Sequence, residues 1–243
     1  MKIRIPYISV LAFGIVLIMF LVTRNVTATE LKNEEVVENL KVVSTVAVDD
    51  NVEEEITEKD YEVSGSLKYD FAELKAVNSD ITAWISIPGT TIDYPVMYDG
   101  TDNYLHKGVN GESTKSGSLY FDPQTKDALN DNVTIIYGHN MKDGSMFHYV
   151  NEYDNSDFYQ NHNIVNISTE NGDHTLHAVA AIVGAADASC RNLTAATVAN
   201  FAVNKSLVGG SLDNINPEKP LTILVTCNYS GSDYRMYLLL QED

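Results

Sequence analysis

Cysteine is scarce: Cys190 and Cys227 are the only two in 243 residues. Two thiols cannot build a disulfide framework, and nothing in their spacing requires that they pair. No Cys/His grouping has zinc spacing, so no metal site is expected. No glycine-rich phosphate loop or dinucleotide fingerprint occurs, and no internal repeat is found. Positive charge is scarce as well. Sixteen Lys and Arg stand against 34 Asp and Glu, a formal net charge of −18. That balance argues against nucleic acid or an anionic membrane surface as a partner. What is present is an ordinary globular share of hydrophobic residues, 44%, in a chain long enough for one sizeable domain plus appendages.

Three regions are expected. Residues 1–24 hold Lys2 and Arg4 followed by an apolar run, Ile5–Val22, broken only by Pro6, Ser9 and Gly14. Eighteen residues is near the lower limit for crossing a bilayer. The positive charges precede the run, so that end should stay cytoplasmic and the remainder face outward. The run exceeds the apolar core of an ordinary signal peptide, which favours an uncleaved single-pass anchor. Cleavage after Val26-Thr27-Ala28 is the rival reading. Residues 25–62 read as an acidic extracellular tether. From Glu30 to Asp60 there are eleven acidic residues and three lysines, with no aromatic, Pro, Gly or Cys. Such a stretch can bury little and should be solvated. Val36, Leu40 and Val43 have helical spacing, so a short amphipathic stalk is the alternative.

The folded domain is expected over 63–243. Phe71, Leu74 and Val77 suggest a short helix ending near Asn78–Asp80. The period then changes to that of strands: Ala83–Ile87, Thr91–Tyr94 leading to Pro95–Tyr98, Ser118–Phe121, Val133–Tyr137, Asn163–Ser168, Thr175–Val183, Leu221–Val225 and Met236–Leu240. Glu170-Asn171-Gly172-Asp173 is a strong hairpin signal. Short strands separated by turn residues predict a mainly β fold, a barrel or sandwich, and closure of a barrel would remove exposed edges. Phe147–Gln160 reads as a short helix, and Ala186–Leu212, rich in Ala and Asn, as a helical insertion before the last strands.

Chemistry concentrates in two places. In Ile223–Arg235 (ILVTCNYSGSDYR) one strand carries Thr226 and Cys227 to its end, a turn-rich patch follows, and Arg235 starts the next strand. A hairpin of that length sets Cys227 beside Arg235. The thiolate is the nucleophilic form, and a nearby guanidinium favours it and can hold an oxyanion. The bland reading of a free cysteine is a small core hydrophobe. The second place is His139, between Gly138 and Asn140 just past the strand Val133–Tyr137. Histidine is the usual general acid and base near neutrality, and paired with a thiol it can protonate a leaving amine. His106, His148, His162, His174 and His177 take surface or packing roles by default.

Four stretches together resemble the class B sortases, membrane-anchored cysteine transpeptidases of Gram-positive bacteria. They are Ala83–Val96 (AWISIPGTTIDYPV), Gly117–Asp122 (GSLYFD), Thr134–Phe147 (TIIYGHNMKDGSMF) and Leu224–Cys227 with Arg235 eight residues on. The resemblance covers most of the chain from about residue 68 and implies a closed eight-stranded sortase-type β-barrel. It also implies that Cys227 attacks the carbonyl after the threonine of a C-terminal sorting motif of the Asn-Pro-x-Thr type. Arg235 then positions the motif and His139 protonates the departing amine. A peptidoglycan precursor amine resolves the thioacyl-enzyme, attaching a secreted surface protein to the wall. No cofactor and no metal is implied. Ile223 stands where the family pattern Thr-Leu-x-Thr-Cys has its first threonine, and Asn228 follows the cysteine where some relatives carry an acid, which leaves any acidic helper of His139 unassigned. Tyr98, Ser145, Thr226 and Tyr229 are groove-lining candidates; of these only Thr226, adjoining the nucleophile, is taken as substrate-binding. Alternatives are a pilin-polymerising sortase, a thiol peptidase that passes the acyl group to water, and an inactive anchored β-domain that only binds surface proteins.

Overall fold

The computed structural model describes residues 29–41 and 69–242. The expected anchor over 1–24 lies outside the described residues, as does most of the tether. Among the described residues no helix is long and apolar enough to cross a membrane.

Among the described residues nine strands form one sheet: β1 Ile81–Ser86, β2 Asp93–Met97, β3 Leu119–Phe121, β4 Val133–Tyr137, β5 Ile164–Thr169, β6 Gly172–Ala185, β7 Ser206–Gly210, β8 Leu221–Asn228 and β9 Tyr234–Glu242. Their order is β5-β1-β2-β3-β4-β8-β9-β6-β7, and β5 also pairs with β6. That pairing closes eight strands into a barrel and leaves β7 outside the ring. β6 manages both neighbours because it is 14 residues long. Its first half takes β5, and its second half takes β7 on the same side. The turn Glu170-Asn171 joins β5 to β6 with Thr169 opposite Gly172, the two-residue hairpin that its sequence predicts. The pairs β2–β3 and β4–β8 are parallel.

Alternation along the strands divides the apolar residues between two cores. Ile136, Leu224, Met236, Leu238 and Leu240 point into the barrel with Ile85, Val96 and Phe121. Ile135, Ile223, Val225, Tyr237 and Leu239 point outward, beneath a cap that contributes Cys190, Leu193, Val198 and Phe201. This is why Leu221–Val225 reads as mostly aliphatic, broken only by Thr222: both of its faces are covered.

The cap is the insertion after β6. Short 3-10 turns at Ala188–Asn192 and Ala195–Thr197 lead to the helix Val198–Ala202. It is less helical than its composition suggests, because its last part is β7. Gly209 and Gly210 lie in β7 where a Cβ would meet the Tyr153 carbonyl and the Tyr159 ring and hydroxyl. The expected helix at 147–160 is a 3-10 helix, His148–Asp154, followed by an α-helix, Ser156–Asn161.

Two of the described helices precede the barrel. The second, Phe71–Val77, is capped by Asp70, whose carboxylate accepts from the amides of Ala72 and Glu73 at 2.9 and 3.2 Å. Phe71 and Leu74 are buried, whereas Val77 is 54% exposed and belongs to no core. The first helix, residues 29–41, corrects the expectation of a solvated tether over that span. Asn33, Val37 and Leu40 recur at helical spacing and are buried, while Glu34, Glu35 and Glu38 face solvent. Val37 and Leu40 join a cluster with Leu74, Trp84 and Tyr104. Burial of each is worth about 1.5–3 kcal/mol. Asn33 Oδ1 also accepts from the Val109 amide at 2.8 Å. The acidic count, averaged over the whole stretch, concealed this stripe.

Candidate active site

Three adjacent strands, β4, β8 and β9, build the site. β4 and β8 run parallel with Tyr137 opposite Val225, and the Gly138 amide extends that ladder to the Val225 carbonyl at 3.2 Å. Two residues beyond that pair stand His139 and Cys227. On the other side of β8, Cys227 lies directly opposite Arg235. Alternation also sets the side. Ile135 and Tyr137 lead to His139, Ile223 and Val225 lead to Cys227, and Arg235 leads to Tyr237 and Leu239. All three residues therefore continue the rows that face the cap, and they emerge where the cap ends.

They share one cleft of about 240 Å³, with Asp102, Leu105, Tyr120, Tyr137, Arg191 and Thr226 also among its walls. Cys227, His139 and Arg235 are each partly exposed, so reagents and substrates can reach them. A larger groove of about 480 Å³ lies between the first helix and the loop after β4, but it contains none of the three.

His139 Nε2 lies 2.8 Å from the Leu105 carbonyl oxygen. A carbonyl only accepts, so Nε2 carries the hydrogen, and Nδ1 is the ring's remaining basic position when it is neutral. Among the described residues no carboxylate bonds this histidine; the Leu105 carbonyl takes the orienting part. The His106 ring stacks on His139 with centroids 5.7 Å apart. Gly138 is required by close approach: a Cβ there would sit 2.4 Å from Leu119 Cδ2 and 2.7 Å from Phe147 Cδ2.

The backbone of Cys227 is held by side chains that residue order does not single out. Beyond Tyr137 the β4 ladder ends, and the Cys227 carbonyl takes two asparagine amides instead. Asn140 Nδ2 donates at 3.1 Å and Asn151 Nδ2 at 2.9 Å. Asn228 Nδ2 in turn donates to Asn151 Oδ1 at 2.8 Å. His148 Nδ1 lies 3.1 Å from Asn140 Oδ1. Because Asn140 directly follows His139, this clamp ties the histidine's loop to the nucleophile's strand. An Asn beside a functional histidine was the only signal available, and asparagine in a loop usually indicates a turn.

Arg235 turns toward its own hairpin. Its Nη2 lies 3.3 Å from Asp233 Oδ1 and its Nη1 donates to the Tyr234 carbonyl at 3.1 Å. An exposed pair of this kind is worth little, so the guanidinium can exchange it for a ligand oxygen. Thr226 lines the cleft, yet it is only 2% exposed, and its Oγ1 has no hydrogen-bond partner among the described residues. Of the other groove candidates, Tyr229 donates its hydroxyl to the Asn140 carbonyl at 2.8 Å. Tyr98 and Ser145 are not in the cleft. The first donates to the Thr125 carbonyl, and the second sits in the larger groove with its hydroxyl on Asp143.

The two cysteines differ in kind. Cys190 is 3% exposed, and burial pushes its thiol up from the ordinary cysteine range. It should stay protonated and shielded near neutral pH. Treating the folded protein with limiting iodoacetamide near neutral pH is therefore expected to label Cys227 and spare Cys190, as read by peptide mapping. Cys190 should react only after unfolding.

The sortase domain family model matches residues 85–240. Sortase B of Listeria monocytogenes is 39% identical over 101 residues, a match covering 41% of this chain and 41% of that protein. A Staphylococcus aureus sortase B–substrate complex superposes with a TM-score of 0.63 at 27% identity, covering 71% of this chain and 84% of that one. A sortase B complexed with triglycine gives 0.63 at 25% identity, covering 71% and 85%.

Proposed function

The chain belongs to the sortase family, and from that premise we propose that it is a class B cysteine transpeptidase that joins a sorting-signal protein to an amine. The observation that carries this reading is the convergence of Cys227, His139 and Arg235 from three neighbouring strands in one open cleft. A thiol, an acid–base group and a fixed cation are the set that acyl transfer through a covalent intermediate needs.

In the proposed sequence Cys227 Sγ, as thiolate, adds to the threonine's own carbonyl carbon in an Asn-Pro-x-Thr-like motif. The oxyanion that develops lies beside Arg235, which releases its weak contacts with Asp233 and Tyr234 to meet it. Collapse breaks the C–N bond, and protonated His139 gives its proton to the departing amine. The thioester then receives a second amine. Its nitrogen forms the new C–N bond, His139 takes its proton, and the Cys227 thiolate leaves. Thr226 is the proposed substrate contact because it adjoins the nucleophile and lines the cleft, while its hydroxyl itself is buried.

The acceptor is proposed to be a peptidoglycan precursor amine, with the domain outside a Gram-positive cell and held to its membrane by residues 1–24. That placement is supported by Lys2 and Arg4 before the apolar run. Incubation of the full-length chain with Asn-Pro-x-Thr peptides and triglycine tests the reaction. The expected product is the peptide amide-linked to triglycine. Cleavage to the free acid at the same rate with or without triglycine would make the protein a thiol peptidase. No turnover of any sorting peptide by the folded chain would leave a binding domain.

The asparagine clamp carries its own prediction. Asn151→Asp keeps the side chain's shape but removes the donor to the Cys227 carbonyl. It is expected to lower kcat roughly tenfold or more through misplacement of the nucleophile, with KM within about twofold. Separate determination of kcat and KM checks this, since loss of stability alone would move neither once the folded fraction is corrected for.

A further inference from the structure

The chain contains four arginines, two of them among the described residues, Arg191 and Arg235, and both line the same cleft. Arg235 belongs to the reaction already described. Arg191 enters from the cap, on its 3-10 turn Ala188–Asn192, next to the buried Cys190 that anchors that turn.

How Arg191 is held matters more than its presence. Its Nε donates to Asp122 Oδ2 at 2.6 Å. Asp122 is 3% exposed and is itself fixed. The Tyr137 hydroxyl donates to the same oxygen at 2.9 Å, and the Gln124 amide donates to Oδ1 at 2.9 Å. A buried carboxylate on three donors is a rigid support, and it aims the guanidinium through one nitrogen only. An arginine serving just to neutralise a buried acid would present its fork to both oxygens. Here the contact is through Nε, and neither Nη1 nor Nη2 has a hydrogen-bond partner among the described residues. The side chain is 35% exposed, so that terminal face is open to solvent in the cleft. It offers two further nitrogens in a plane, suited to a carboxylate or amide oxygen and repellent to an ammonium.

We propose that Arg191 is a specificity-determining residue that reads an acceptor oxygen of the sorting peptide, favouring a carboxylate or side-chain amide over a lysine at one position before the threonine. This inference rests on the transpeptidase reading. The peptide acylating Cys227 must occupy the cleft that Arg191 and Arg235 flank, and Arg191 reaches it from the cap while Arg235 serves the reacting carbonyl.

The test uses the full-length chain and Asn-Pro-x-Thr peptides carrying Glu, Gln or Lys in turn at the first position and at x. The readout is kcat/KM for cleavage. The parent is expected to prefer Glu or Gln over Lys at one of these positions by about tenfold or more, the scale of one hydrogen bond to a charged group. Arg191→Gln combined with Asp122→Asn removes both charges of the pair, so no carboxylate is left buried alone. It should bring the three peptides to within about threefold of one another, since the remaining amide neither attracts a carboxylate nor repels an ammonium as a cation does. Arg191→Lys keeps the charge and should keep the sign of the preference. Thermal unfolding and the rate of Cys227 alkylation report separately on fold and nucleophile. A parental preference surviving unchanged in the double variant overturns the proposal, as does a parent that treats Glu and Lys alike at both positions. A folded parent that cleaves none of the peptides overturns the transpeptidase reading as well, which separates the two failures.

Discussion

Replacing Cys227 with alanine is expected to abolish both cleavage of the sorting peptide and amide formation. The loss should be on the order of 10⁴-fold or more, the scale seen when a covalent nucleophile is removed from a hydrolase. The size follows from the mechanism: no other described residue of the cleft offers a thiol to form the acyl intermediate. Cys190 cannot substitute, because it is buried on the inner side of the cap with its thiol pushed up by burial. The fold should survive. Cys227 stands at the end of β8, partly exposed, past the apolar residues that fill the two cores. Removing one sulfur there creates no large cavity, so the stability change should stay near that of a surface substitution, about 0.5 kcal/mol. Rates with peptide and triglycine, together with thermal unfolding, check both halves. A Cys227→Ala protein that cleaves at the parental rate would mean that the nucleophile is elsewhere.

His139→Gln is expected to lower kcat/KM by about 10²- to 10⁴-fold, the range for loss of one positioned acid–base group. Glutamine can still donate to the Leu105 carbonyl, so the loop that imidazole Nε2 now anchors at 2.8 Å keeps its contact while proton transfer is lost. The leaving group provides the discriminating comparison. An amide nitrogen must be protonated to depart, whereas an ester oxygen needs far less help. The defect should therefore shrink to about tenfold or less on an ester analogue of the same motif, by the same reasoning on proton transfer. An equal defect on ester and amide would assign His139 to substrate placement rather than to acid–base chemistry.

Much of this site could be read from residue order alone, for a specific reason. Turn-rich Asn228–Asp233 between two apolar runs forces a hairpin, and a hairpin of that length sets Cys227 opposite Arg235. The parallel pairing of β4 with β8 was not readable, and it is what brings His139 alongside. Alternation and turn residues made a mainly β barrel or sandwich legible, and the resemblance supplied the closed eight-stranded form that the structure shows. β7 was not. Ser206–Gly210 ends in two glycines, which weaken a strand signal, and it is held by the Tyr153 and Tyr159 contacts that those glycines permit. The helix at 29–41 was legible only as the alternative read from the spacing of Val36 and Leu40, and its acidic outer face concealed that it docks. The asparagine clamp was invisible because its partners, Asn140 and Asn151, meet a backbone carbonyl 76 to 87 residues away. Tyr98 and Ser145, left open between groove and packing, lie outside this cleft, because residue order does not fix which groove a side chain enters.

Trapping the intermediate tests the central claim most directly. The full-length chain would be mixed with an Asn-Pro-x-Thr peptide in the absence of added amine, quenched in acid, and examined by intact mass and peptide mapping. A mass increase equal to the peptide's acyl portion is expected, located on Cys227 and discharged by triglycine. Cleaved peptide with no adduct on Cys227, or an adduct that triglycine does not release, would contradict it.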